Sequence, residues 1–153
     1  MRRILCINDG ATNFSLTERL KATEDLNLEM KYMRKIIEMY FNCWLEKDGR
    51  DLVNIFANDI VYSECYGPEY VGIQQVNKWF QEWNNKGTVL QWDIKDIIEK
   101  ENTLVVEWFF KCEYEGNVDG FDGITIAKFN NSHKIYDLKE FQSKAEHYYP
   151  YGE

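Results

Sequence analysis

Apolar and aromatic positions in the last third of the chain predict three consecutive strands. Thr103 to Tyr114 is long and rich in β-branched and aromatic residues, a composition typical of a half-buried strand. A turn at Gly116-Asn117 leads to a second strand, Ile124 to Phe129, and a polar corner leads to a third, Lys134 to Phe141. Because the connections are short, we expect these strands to pair antiparallel with each other.

Helical periodicity precedes the strands. From Leu16 to Leu45 apolar residues recur every three or four positions, which predicts one helix or two helices joined near residues 24–27. The stripe consists of Leu26, Met30, Met33, Ile37, Tyr40 and Trp44. We expect Thr17 with Glu18 to open this segment and Lys47-Asp48-Gly49 to close it, with the glycine in a left-handed cap.

The middle of the chain alternates between helix and strand patterns. It predicts a short helix at Asp51–Phe56, a strand at Asp59–Cys65, a rigid loop at Tyr66–Tyr70, a helix from Gly72 to Lys86-Gly87 and a strand at Thr88–Glu99. The order is therefore helix, short helix, strand, helix and then four antiparallel strands. This order predicts a single domain of the α+β class.

Composition narrows the possible partners. The chain has 153 residues, a net charge of −8 and an aromatic content of 16%, which favours a large core or an aromatic-lined cavity. An acidic chain without clustered Lys and Arg is a poor binder of nucleic acid or of an anionic membrane, so neither partner is expected. No apolar run approaches the length of a membrane span, and we expect the protein in the cytoplasm.

Cofactor motifs are absent from the sequence. The four cysteines are far apart, and no Cys-x-x-Cys pair indicates zinc or thioredoxin-like chemistry, so free thiols are expected. The two histidines are also far apart, and no carboxylate cluster has ligand spacing, so no metal site is predicted. No phosphate-binding loop or hydrolase motif is present either. We therefore predict no metal and no cofactor.

The order of elements resembles the NTF2-like superfamily, particularly its SnoaL-like and limonene epoxide hydrolase-like branches. The resemblance covers about Met30 to Ser143. It is carried by Asp59-Ile60-Val61-Tyr62, by Gly72 before a helix, and by Lys134-Ile135 followed five residues later by an acidic residue. It implies a cystatin-like cone, in which a curved antiparallel sheet wraps around N-terminal helices and leaves a pocket.

This resemblance also divides the chain. Residues 1–25 would form a partly helical N-terminal extension, residues 26–146 the NTF2-like (SnoaL-like) domain, and residues 147–153 an aromatic C-terminal tail. Sheets of this superfamily often pair face to face, which implies a homodimer through the outer sheet face. Val105 and Phe109, on the outward phase of their strand, would suit such a contact.

Candidate catalytic residues follow from the epoxide hydrolase branch. Glu140 falls where that family keeps an acidic residue that activates water, and Tyr62 and Glu64 fall where it keeps a tyrosine and an asparagine that help to hold the water. Trp108 and Phe110 replace its arginine and second aspartate. Epoxide hydrolysis by the family's mechanism is therefore disfavoured, because the acid on the electrophile's side is missing.

Physical chemistry gives the remaining carboxyls a possible role. A Glu that is desolvated by Trp and Phe has a raised pKa, and a neighbouring carboxylate raises it further. Glu140 and Glu64 could then supply an acid and a base to a small neutral, apolar or aromatic molecule. The expected ligand-binding residues are Trp108, Phe110, Trp92, Trp79, Leu138 and Tyr136. Trp44 and Trp83, at helical spacing, are assigned to ordinary core.

Three functions remain open at this point. The pocket could act as a lyase, isomerase or hydrolase, it could bind a ligand without turnover, or the domain could serve dimeric assembly. An error of one residue in strand register would turn Glu64 or Glu140 toward solvent. SnoaL-type cyclases use a histidine with an aspartate, but His133 lies in a turn. His147 lies in the tail, which would pack on the sheet, on a partner subunit or over the pocket mouth.

Overall fold

The computed structural model describes residues 15–143 and 147–152, and the element order agrees with the predicted one except for one additional short strand, β2. Its elements are α1 (Leu16–Leu45), α2 (Leu52–Ile55), β1 (Phe56–Ser63), β2 (Glu69–Val71), α3 (Ile73–Asn84), β3 (Gly87–Lys100), β4 (Thr103–Tyr114), β5 (Asn117–Phe129) and β6 (Ile135–Gln142). Residues 1–14 of the predicted N-terminal extension, which include Cys6, lie outside the described residues.

One six-stranded, unclosed sheet forms the body of the molecule, with the strand order β2-β1-β6-β5-β4-β3. The four predicted strands β3 to β6 pair antiparallel as expected, whereas β1 runs parallel to β6. The sheet is therefore mixed. The short β2, in the segment predicted as a loop, extends the sheet by pairing with β1. The fold class predicted from the sequence is confirmed.

Helix α1 is one continuous helix of 30 residues. Its bounds agree with the predicted segment, but the residue that caps it is Ser15, which forms a capping box with Glu18, and not Thr17. At its far end Lys47, with φ of 55°, adopts the left-handed conformation that was expected for Gly49. Gly49 is needed for space instead, since an added Cβ would lie 3.0 Å from the Phe80 ring.

The core lies between the inner sheet face and the C-terminal half of α1. Met33, Ile37, Tyr40 and Trp44 of the predicted stripe are buried, whereas Leu26 is about half exposed. On β4 the alternation is clear, because Leu104, Val106, Trp108 and Cys112 point inward and are buried. Glu107 and Lys111 lie on the outer face and are exposed. The inner phase of β4 therefore builds the core.

The two ends of the inner face differ. Near the turn between β3 and β4 the sheet is fully covered, and Leu104 and Val106 have no exposed surface. Toward the other end of β4, Phe110 and Tyr114 are only partly buried. No helix within residues 15–143 and 147–152 is long and apolar enough to cross a membrane. The inner sheet face is therefore packed at the end near the β3–β4 turn and open at the other end, where the site lies.

Candidate functional site

A cavity of about 750 Å³ opens at the uncovered end of the inner sheet face. Every element except α2 contributes to its wall, including the β1–β2 loop and the segment after α3. All five tryptophans of the chain line it: Trp44, Trp79, Trp83, Trp92 and Trp108. The volume is in the range of small-molecule sites, and the wall is mostly aromatic.

Three hydroxyl and carboxyl groups form a chain at the base of the cavity. The Tyr62 hydroxyl, on β1, donates a hydrogen bond of 2.5 Å to Oε1 of Glu140, on β6. The hydroxyl of Tyr40, on α1, lies 2.5 Å from the Tyr62 hydroxyl. Since Tyr62 donates to Glu140, Tyr40 donates to Tyr62. The parallel pairing of β1 with β6 places Tyr62 opposite Leu138, two residues from Glu140, and so makes this contact possible.

Burial raises the pKa of Glu140 to about 8, against the opposing effect of the Tyr62 hydrogen bond, and the charge of Glu64 adds a smaller rise. Water can reach part of the residue through the cavity, although protein atoms crowd the carboxyl group. Burial also raises the pKa of Tyr40 and of Tyr62 well above the usual range, so both phenols stay protonated. Of these three hydrogen-bonded residues, Glu140 is therefore the one that can exchange a proton near neutral pH.

Glu64 occupies a second position in the cavity, in the loop after β1. Burial raises its pKa, and a hydrogen bond of 3.3 Å from the Tyr70 hydroxyl opposes the rise. The mutual effect of the two carboxyls is smaller than expected from the sequence, since desolvation is the main cause for each of them. Desolvation, which the sequence analysis named first, is thus the main cause, and the neighbouring carboxylate contributes a smaller rise at Glu140.

The indole N–H groups in the wall fall into two classes. Nε1 of Trp108 donates a hydrogen bond of 2.8 Å to the buried hydroxyl of Thr125. Nε1 of Trp92 has no hydrogen-bond partner in the described chain, although the residue is more than nine-tenths buried. Nε1 of Trp44 lies near the Tyr40 hydroxyl, where a hydrogen bond from the indole acts to lower the pKa of that phenol. Because buried donors normally have acceptors, Trp92 is the donor in this wall that lacks one.

The predicted site residues separate into two groups. Glu140, Glu64 and Tyr62 meet in the cavity, and four expected ligand-binding residues line it: Trp108, Phe110, Trp92 and Trp79. Leu138 is fully buried in the core outside the cavity wall, and Tyr136 lies outside it and is partly exposed. A register shift in the β5–β6 pair, between Lys128 and Phe129, turns Ile135 inward and Tyr136 outward.

Trp44 and Trp83 belong to the hydrophobic core as assigned, but that assignment was incomplete. Both residues also line the cavity, and their ring centroids lie 5.3 Å apart. Helical spacing alone could not separate a core residue from a cavity residue, because on α1 and on α3 the same apolar face contacts both the core and the cavity. Residue size was the available signal, since large aromatic rings on both helices cannot all be covered by one sheet.

Tyr40 and Tyr70 are the site residues that the sequence reasoning missed. Tyr40 appeared only as a member of the helical stripe, and its hydroxyl partner comes from a strand 22 residues later. Tyr70 was placed in a loop, but it lies on β2, where its ring stacks on Trp79 with centroids 4.6 Å apart. A buried Tyr usually needs a hydrogen-bond partner, and that was the signal available for Tyr40.

The histidines lie away from Glu140, and the cysteines in the cavity are protonated thiols of low reactivity. His133 lies in a turn, with its ring against Tyr32 at 5.1 Å, and His147 is exposed. Cys65 and Cys112 line the cavity as free thiols, and burial raises the pKa of Cys65 to about 12. Within the described ranges no group of His, Cys, Asp and Glu could hold a metal ion.

A family model for the SnoaL-like domain matches residues 37–138, two thirds of the chain. The protein therefore belongs to the SnoaL-like domain family. The match contains most of the cavity wall, including Tyr62 and Glu64, as well as the buried Tyr40, and ends two residues before Glu140. None of the curated proteins matches the chain.

Solved structures with the same fold are similar to this chain at low sequence identity. An LEH-like epoxide hydrolase from M. tuberculosis has 11% identity and a TM-score of 0.66, and the match covers 74% of this chain and 84% of the other. A hypothetical protein with a ketosteroid isomerase-like fold from Catenulispora acidiphila DSM 44928, solved in complex with trimethylamine, has 16% identity and a TM-score of 0.64, with coverage of 71% and 85%.

A third structure is closer in sequence. An NTF2-like protein of unknown function from Exiguobacterium sp. 255-15 has 21% identity and a TM-score of 0.62, and the match covers 72% of this chain and 99% of the other. At such identities the three likenesses show a shared fold. The chemistry of this protein has to be argued from its own residues.

Proposed function

We propose that the cavity binds a small, largely apolar or aromatic molecule and that Glu140 exchanges a proton with it, as in a lyase, isomerase or hydrolase. The observation that carries the proposal is the position of Glu140, a carboxyl with a pKa near 8 in an aromatic cavity. A general acid or base works best when its pKa lies near the operating pH.

The neighbours of Glu140 support this role. As an acid, Glu140 would give its proton to the ligand and become a carboxylate, which the Tyr62 hydroxyl stabilises through its 2.5 Å hydrogen bond. As a base, it would take a proton back. Tyr62 is a positioning residue in this scheme, and Tyr40 fixes the direction in which Tyr62 donates. Glu64, at the cavity wall, is the second candidate for proton transfer.

The test starts from a screen of small aromatic and apolar compounds by tryptophan fluorescence, since every tryptophan lies in the cavity wall. Compounds that bind are then assayed for turnover by mass spectrometry. We expect Glu140→Gln to keep the ligand Kd within about threefold while turnover falls by about 100-fold or more. Glu107→Gln, the same change on the exposed outer face, serves as the control and should change neither quantity.

Tyr62→Phe separates a positioning role from a purely structural one. It removes a hydrogen bond that lowers the pKa of Glu140, so the pH profile of turnover should move to higher pH. A fall in rate with an unchanged profile would indicate a structural role for Tyr62. Bound compounds with no turnover in the wild type would contradict the enzyme proposal.

A non-catalytic binding function is the second candidate. It is favoured by Trp108 and Phe110, which place apolar rings where the epoxide hydrolase branch keeps an arginine and an aspartate. Such a wall would hold a ligand without polarising it. Under this alternative, Glu140→Gln would change affinity or orientation of the ligand, and no product would form from any bound compound.

We also propose a homodimer through the outer sheet face. Its exposed surface includes Ile98, Ile124 and Phe141, which are 63%, 39% and 54% exposed. Ile124 lies opposite Phe141 in the sheet, so the two apolar side chains form one exposed patch. A second copy of the same face could cover these apolar residues. Sedimentation velocity on dilution tests this, and a strictly monomeric wild type would exclude the dimer.

A further inference from the structure

The charges in the cavity wall are strongly unbalanced. Four carboxyl residues line it, Glu64, Glu82, Asp119 and Glu140, but only one lysine, Lys86. The Lys86 ammonium group lies 3.5 Å from Glu115 and the Glu82 carboxylate lies 3.8 Å from Lys78, and both partners are outside the wall. The wall therefore combines an excess of acidic groups with aromatic rings, within a chain whose net charge is −8.

Glu64 has no cationic partner in the described chain. The only side-chain hydrogen bond that reaches its carboxyl is the one from Tyr70, and no lysine or arginine of residues 15–143 forms an ion pair with Glu64 or Glu140. Partly buried carboxylates in proteins are usually paired, because an unpaired charge in an apolar environment is costly. Glu64 is thus a carboxylate prepared for a positive group.

The rings beside Glu64 are suited to the same group. Tyr70, whose hydroxyl contacts Glu64, stacks on Trp79, and Trp79 also packs against Tyr62 at 5.0 Å. Aromatic faces attract organic cations. Tyr70 stacks on Trp79 through one face, and its other face is the one that a cation could contact.

We infer that the ligand of this cavity carries a positive charge and that it is an organic ammonium ion held by the Glu64 carboxylate against the aromatic wall at Tyr70. This inference rests on the proposed binding function and narrows the ligand class. It replaces the neutral ligand expected from the sequence, since an apolar ammonium ion satisfies both the aromatic rings and the unpaired carboxylate.

Cation binding has to depend on pH through Glu140, the carboxyl whose pKa lies near 8. A cation in the cavity favours the ionised carboxylate, so binding should release protons at neutral pH and affinity should rise between about pH 6 and pH 9. The groups that face Glu140 are Tyr40, Tyr62, Glu64 and Cys65, and the other charged or titratable groups of the wall are Tyr66, Tyr70, Glu82, Lys86, Cys112, Tyr114 and Asp119. The phenols of Tyr40 and Tyr62 stay neutral over this range.

The test compares choline with 3,3-dimethyl-1-butanol, in which carbon replaces the positive nitrogen and the shape is preserved. Both are titrated into the full-length protein by tryptophan fluorescence and calorimetry at pH 6 and pH 9. At pH 9 we expect choline to bind about tenfold more tightly than the alcohol. Calorimetry at pH 7 in two buffers of different ionisation enthalpy should show proton release with choline and none with the alcohol.

Two variants test whether the preference for choline arises in the cavity. Glu64→Gln keeps a group that can accept from Tyr70 but removes the charge, so the preference for choline should fall to about threefold or less. Glu107→Gln makes the same change of charge on the outer face and should leave the preference intact. A loss of preference in both variants would show that the overall charge of the protein, and not the cavity, attracts choline, which would overturn the inference.

The two proposals fail in different ways. If the alcohol binds as tightly as choline at both pH values, the cavity is a binding site for neutral molecules and the cation inference is wrong. If neither compound binds at about 50 mM, far above the range of a functional Kd, the cation inference is overturned and the binding proposal loses its support as well.

Discussion

The two faces of the sheet present opposite chemistry on alternate residues of the same strand. On β4, Trp108 is 1% exposed and faces the cavity, whereas its neighbour Glu107 is exposed on the outer face. The inner face is closed by α1 at one end and opens into an aromatic cavity at the other. The outer face has apolar residues, such as Phe141, that remain in contact with solvent.

The two faces constrain their side chains to different degrees. On the inner face each side chain is fixed by several neighbours, since Trp108 contacts the rings of Trp92, Phe110 and Phe121 and a hydroxyl on β5. On the outer face a side chain contacts mainly its strand neighbours. The same substitution should therefore lower the free energy of unfolding more on the inner face of the sheet than on the outer face.

The largest difference is expected from Trp108→Ala. Removing the indole leaves a cavity in the covered part of the site and an unpaired hydroxyl on Thr125, so the free energy of unfolding should fall by about 4 kcal/mol. Phe141→Ala, on the outer face, should cost about 1 kcal/mol or less, because the ring is 54% exposed. Urea unfolding of both variants measures the two costs. Equal costs would contradict the division into a constrained and an unconstrained face.

A pair of glycines on β5 provides the next largest difference. An added Cβ at Gly123 would lie 2.2 Å from the Trp108 ring and 2.5 Å from the Phe141 carbonyl oxygen. At Gly120, on the outward phase, the nearest atom is in the Phe109 ring at 3.1 Å. Gly123→Ala should cost about 2 to 3 kcal/mol by overpacking. Gly120→Ala should cost less than half of that, as measured by thermal unfolding.

The fold was largely predictable because its signals are local. The bounds of β4 agree with the predicted ones, since a continuous β-branched and aromatic run ends at turns on both sides. The start of β5 was missed, because the polar and glycine-rich residues 117–123 resemble a turn, although they pair with β4 along their whole length. Asp119 and Asp122, within these residues, therefore lie on the strand.

The site was predictable only in part, because its contacts are tertiary. Alternation was enough to place Glu140 and Tyr62 on the inner face, but the chain of hydroxyls needs Tyr40 from α1 and the parallel pairing of β1 with β6. The register shift that turns Tyr136 outward leaves no mark in the hydrophobic pattern. Helical spacing likewise did not separate Trp44 and Trp83 from ordinary core.

The pH dependence of stability tests the inner face through Glu140. Its pKa is about 8 in the folded protein and about 4.5 ordinarily, so the folded state binds the proton more tightly. This contribution is fully present below about pH 4.5 and is lost as the pH rises through about 8. Between these values the wild type should lose about 2 kcal/mol of stability relative to Glu140→Gln. Glu107→Gln should follow the wild type in urea unfolding at pH 5, 7 and 9.

The smallest effect concerns the indole donors. Thr125→Val keeps the shape of a fully buried side chain but removes the acceptor of the Trp108 N–H group, so stability should fall by about 1 to 2 kcal/mol. Thr125→Ser keeps the hydroxyl and should cost less. If the valine variant is as stable as the wild type, an unpaired indole N–H in this wall carries no penalty. The unpaired N–H group of Trp92 would then carry no penalty either, and it would need no acceptor.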